Sequence, residues 1–64
     1  MTPAEVVIKC LGVRPLAREL GLHPSAVSHW QRTGTVPAKY HQKIIELSGG
    51  KVDPIDLVYG RDDD

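Results

Sequence analysis

The chain is 64 residues long, with a mass of 7.0 kDa, one cysteine and a formal net charge of zero. Those figures allow one small domain with one core, leave little room for an enzyme cleft, and exclude an internal disulfide framework or a multi-cysteine zinc site. With 41% hydrophobic residues the chain reads as globular, and with neither a bilayer-spanning apolar run nor the basic start of a signal peptide it is expected to be cytoplasmic, without membrane contact.

Proline and glycine cut the sequence into short helices. Thr2-Pro3-Ala4-Glu5 has the form of a capping box with proline at the first helical position. The first helix then runs through Val6, Val7, Ile8, Cys10 and Leu11 to Gly12. Consecutive β-branched residues also suit a strand, but the capping box and the glycine stop favour a helix. Cys10 is expected as core filler on it, since no neighbour activates the thiol. A second helix covers about residues 14–20, with Leu16, Ala17 and Leu20 on one face and Pro15 inside the first turn, where no N–H is needed. Gly21 breaks it. His23-Pro24 starts a third helix, from Pro24 to about Thr33, which stops at Gly34. A fourth begins near Pro37 and reaches Ser48, with Tyr40, Ile44 and Leu47 at the spacing of a buried stripe. Asp53-Pro54 opens a last short helix carrying Ile55, Leu57 and Val58, and no Asn-Gly or Asp-Gly hairpin signal is present. The expected fold is all-α, a compact bundle of about five short helices over residues 1–60, followed by an acidic tail, residues 61–64, that frays.

The zero net charge hides a division. Residues 1–48 hold six basic and three acidic side chains, whereas residues 49–64 hold two basic and five acidic ones. Between residues 14 and 43 the count is five basic to one acidic, and all three histidines lie in that stretch. Such asymmetry points to a nucleic-acid surface with an acidic end, or to a merely solvated face.

The stretch Leu16 to Arg32, LARELGLHPSAVSHWQR, weighs between those two. Two short helices joined by a turn containing Gly21 have the spacing of a helix-turn-helix. Ala17 is small enough for the helices to cross closely, and Leu16, Leu20, Leu22, Val27 and Trp30 can share one core. On a helical wheel with Val27 at zero, Trp30 lies at about −60°, while Ser28, Arg32, Ser25 and His29 fall at roughly 100°, 140°, 160° and 200°. The side opposite the core thus carries two hydroxyls, an imidazole and a guanidinium, and no acid. An α-helix fits the major groove of B-DNA, where hydroxyls meet either donor or acceptor edges and Arg forks onto guanine.

At these residues the chain resembles small bacterial or phage helix-turn-helix repressors of the Cro kind, which have lambda-repressor-like DNA-binding domains, and the YdaS-type DNA-binding antitoxins. LARELGL, PSAVSHW and TGTVPAKY carry the resemblance, which covers about residues 16–45. It implies a cytoplasmic homodimer in a bacterial host cell that binds a short, roughly palindromic double-stranded operator and represses transcription. By motif position Ser25, Ser28 and His29 match base-reading positions; Arg32 shares their face and is the fourth candidate base reader, close to positions that approach the backbone. Arg14, Arg18, His23, Lys39 and Lys43 are the candidate phosphate contacts. Two departures stand out. His23-Pro24 replaces the Gln, Ser or Thr common at the helix start, which puts a side-chain cap there in question. His29 replaces the usual amide or basic reader, and imidazole is the side chain that ordinarily titrates near neutral pH.

A lone domain presents too few base contacts to select a genomic site, so a dimer is expected, with Ile45, Ile55, Val58 and Tyr59 as its candidate interface. Closure of the domain's own core is the alternative for all four, and for Ile55 an equal one. No cofactor, metal or small-molecule ligand is expected: His23, His29 and His41 lack the i, i+4 pairing of a helical metal site, and no acid stands near Ser25, Ser28 and His29 to make a catalytic set. The sequence leaves open a DNA-binding antitoxin in place of a repressor, and a helical protein–protein adaptor whose basic face meets an acidic partner.

Overall fold

The computed structural model describes residues 1–61; the last three aspartates of the expected tail lie outside the described residues. Its elements are α1 (Pro3–Leu11), α2 (Val13–Leu20), α3 (Pro24–Thr33), a 3-10 turn (Ala38–Tyr40), α4 (His41–Ser48) and α5 (Pro54–Tyr59), with no strand among the described residues. Local chemistry sets most of these limits. The Thr2 hydroxyl accepts from Glu5 N–H at 3.2 Å while Thr2 N–H donates to Glu5 Oε1 at 3.1 Å, closing the capping box of α1. Pro3, Pro24 and Pro54 each open a helix where their missing N–H has no partner to lose. The fourth helix departs from expectation at its start: Pro37 leads into the 3-10 turn, and the α-helix proper begins at His41.

One core joins the helices. Ala4, Val6 and Val7 of α1, Leu16 and Ala17 of α2, Val27 and Trp30 of α3, Ile44 of α4 and Leu57 of α5 are buried together with Val36 and Val52 from the connecting segments. Tyr40 and Leu47 flank Ile44 half-buried, and Leu20 and Leu22 pack against the cluster from the α2–α3 corner. Cys10 is not part of it. The thiol is exposed, because α1 turns Ala4, Val6 and Val7 inward and leaves Lys9 and Cys10 on its outer side.

The expected fraying does not begin at Arg61. Its guanidinium donates to Asp56 Oδ2 at 2.8 Å and to the Lys51 carbonyl, while its backbone N–H donates to the Met1 carbonyl at 3.0 Å and its own carbonyl accepts from the Met1 amino group. The two ends of the described chain therefore lie side by side. Gly60 makes this approach possible: at φ 76°, an added Cβ would collide with the Met1 carbonyl oxygen. Asp56 is buried and also accepts from Asp53 N–H at 3.0 Å, so its carboxylate ties the start of α5 to the residue beyond its end.

Candidate functional site

The candidate site is built on α2, α3 and the corner between them. At the end of α2, Gly21 adopts the left-handed conformation (φ 71°, ψ 30°), so that Leu22 N–H reaches the Ala17 carbonyl at 2.8 Å and the chain turns sharply. Leu22 packs on the core, His23 stands at the N-cap, and α3 begins at Pro24. The corner is three residues long, and it sets α3 against α2 with the small Ala17 buried.

α3 has two faces of opposite character. Val27 is fully buried and Trp30 is 6% exposed. The indole is braced by Tyr40, ring centroids 5.5 Å apart with 37° between the planes, which seats α3 on the 3-10 turn. Ser25, Ser28, His29 and Arg32 are all exposed on the other side, and no acidic residue occurs on the helix. The outward set derived from the helical wheel and the inward pair therefore fall where the 3.6-residue period puts them.

The basic candidates lie on the flanking elements. Arg14 and Arg18 are exposed on α2, which packs directly on α3. Lys39 is exposed on the 3-10 turn, its Nζ 5.2 Å from the Tyr40 ring centroid and so tied to the residue that braces Trp30. Lys43 is exposed in the first turn of α4. The apolar candidates separate into two groups. Ile45 is half-buried and packs on the core, whereas Ile55, Val58 and Tyr59 are 69%, 59% and 81% exposed on α5, which packs against α1 and α4. Closure of the core by Ile55 is thereby excluded; Leu57 and Val52 fill that position instead.

The side-chain cap that the sequence put in question at the start of α3 is supplied by His23. Its Nδ1 accepts from Ser25 N–H at 3.1 Å and lies 2.9 Å from Ser25 Oγ. The sequence signal was present, since an imidazole nitrogen two residues before a free helical N–H can accept as an Asn or Asp oxygen does. His41 braces the connection into α4, where its Nε2 donates to the Val36 carbonyl at 2.8 Å. Among the described residues no three His, Cys, Asp or Glu side chains gather as a metal-binding group, and no helix is long and apolar enough to cross a membrane. Two shallow surface grooves, of about 170 and 250 Å³, fall below the size of ordinary small-molecule sites.

Comparison with protein-family models, curated proteins and solved structures gives no match.

Proposed function

We propose that this protein binds double-stranded DNA sequence-specifically, with α2 and α3 acting as a helix-turn-helix of the lambda-repressor-like kind and α3 entering the major groove. One observation carries the reading: Ser25, Ser28, His29 and Arg32 stand exposed on an acid-free face of α3 while Val27 and Trp30 anchor that helix from beneath. Such a face offers hydroxyl, imidazole and guanidinium groups to base edges and repels no phosphate. Arg14 and Arg18 from α2, with Lys39 and Lys43 beyond α3, contact phosphates and set the register, a sequence-independent attraction that weakens as salt rises.

In this reading the protein is a homodimeric transcriptional repressor of the Cro type that occupies a short palindromic operator and needs no cofactor. Two copies related by a two-fold axis place their α3 helices in successive major grooves, about 34 Å apart. The exposed side chains of α5 supply the apolar surface for the second copy. Regulation then follows from protein concentration or from a partner.

Selection of bound duplexes from a random library, followed by mobility-shift titration at two salt concentrations, tests the proposal. A recovered palindrome, bound less tightly at higher salt, is the expected result. Weak binding that is insensitive to both sequence and salt would overturn the proposal and favour a protein–protein adaptor.

A further inference from the structure

The contact between His23 and Ser25 bears on what Ser25 is able to read. The Ser25 backbone N–H points at His23 Nδ1 across 3.1 Å. That nitrogen must therefore present a lone pair, and the ring hydrogen of the neutral imidazole sits on Nε2. Ser25 Oγ lies 2.9 Å from the same Nδ1. Two groups without a hydrogen between them cannot bond, so the Ser25 hydroxyl supplies its hydrogen and the lone pair is shared by two donors from one residue. The hydroxyl's only hydrogen is then committed inside the protein. Its remaining capacity is two acceptor lone pairs, on a side chain exposed at the start of α3.

We propose that His23 makes Ser25 an acceptor-only reader of base edges, selecting the exocyclic amino group of adenine or cytosine and rejecting the carbonyl oxygens of thymine and guanine. An uncommitted serine hydroxyl meets donors and acceptors alike and discriminates little. With its hydrogen held by Nδ1, it accepts from adenine N6 or cytosine N4 but faces a thymine O4 or guanine O6 with lone pairs alone. His23 is thus a positioning residue: it acts on specificity through Ser25. The inference rests on the DNA-binding reading and narrows it to one base edge.

Two measurements test it, the first without DNA. Long-range proton–nitrogen NMR of the free protein should show His23 as the Nε2–H tautomer at neutral pH, and an Nδ1–H tautomer overturns the proposal whatever the DNA result. The second compares operators selected by the wild type, Ser25→Ala and His23→Ala, each confirmed as folded by circular dichroism. The operator position whose preference vanishes in Ser25→Ala is the one read by Ser25. Replacing the favoured adenine there by purine, or the favoured cytosine by 2-pyrimidinone, deletes the amino group; this should weaken wild-type binding about five- to tenfold and leave Ser25→Ala unchanged. In His23→Ala the preference at that position should flatten to less than about twofold. Equal losses in wild type and Ser25→Ala, or an unaltered preference in His23→Ala, overturn the proposal and leave DNA binding intact. Recovery of no selected sequence by any of the three proteins overturns DNA binding and this inference with it.

Discussion

Trp30 shows how much one side chain carries in a domain this small. It is the largest residue of the core, and its ring meets Tyr40 at 5.5 Å, so it holds both α3 and the 3-10 turn that follows. Truncating a buried indole leaves a void the neighbours cannot fill, and Trp30→Ala should cost about 3–5 kcal/mol, enough to unfold most of the chain. Urea titration followed by far-UV circular dichroism measures this, and a loss below about 1 kcal/mol would mean that α3 is seated by something else. On the opposite face, two substitutions should behave differently from one another. Arg32→Ala is expected to weaken binding to every duplex and lower the slope of log affinity against log salt by about one, because in the proposed pose its guanidinium, besides facing base edges, lies close enough to the backbone to neutralise a phosphate. Ser28→Ala should leave that slope unchanged and alter base preference at one operator position. Identical sequence preference and salt dependence in both variants would count against the α3 reading.

The helices themselves owe their limits to neighbours in sequence, which is why those limits were legible. A proline at the first position of α1, α3 and α5, the reciprocal Thr2–Glu5 cap and the turn at Gly21 each involve residues within a few positions of one another. The outward face of α3 was legible for the same reason, because two apolar anchors at i and i+3 fix the rotation of a helix. What escaped is non-local. The burial of Val36 and Val52 in connecting segments, the exposure of Cys10 and the hold of Met1 on Arg61 all depend on which elements meet across the molecule. The Asp56–Arg61 pair allows a prediction about α5. The Arg61 hydrogen bond, and after it the Asp53 N–H, hold the Asp56 carboxyl below its ordinary range; the Thr2 backbone N–H, and after it the Thr2 hydroxyl, do the same for Glu5. A carboxyl whose proton affinity is lower in the folded state stabilises that state at neutral pH, and the contribution disappears as pH falls below about 4. Thermal unfolding midpoints should therefore drop in acid. Asp56→Asn should lower the midpoint at pH 7 and shrink the acid-induced drop; an unchanged acid dependence would mean that Asp56 contributes nothing to it.

For the whole molecule the DNA-binding proposal raises the question of how so small a domain would attain specificity. Its longest dimension is 31 Å, close to the roughly 34 Å between successive major grooves on one side of a duplex, so in the proposed dimer two copies in contact would span a palindrome without a linker. Ile55, Val58 and Tyr59 recur at i, i+3 and i+4 along α5 and are the large hydrophobic side chains left most open to solvent. They belong to a helix whose buried side is already satisfied by Leu57 and Asp56, so removing them costs the monomer little. Val58→Asp combined with Tyr59→Asp should keep the circular dichroism spectrum and the unfolding midpoint close to those of the wild type. The same pair should abolish self-association in sedimentation, because it would introduce like charges at the proposed two-fold contact. Binding to an isolated half-site should then survive unchanged, because α3 is untouched, while affinity for the full palindrome falls about a hundredfold through loss of the second, tethered contact. Full-palindrome affinity equal to that of the wild type would remove α5 from the dimer and send the search for the contact to Ile45 and the surface around α4.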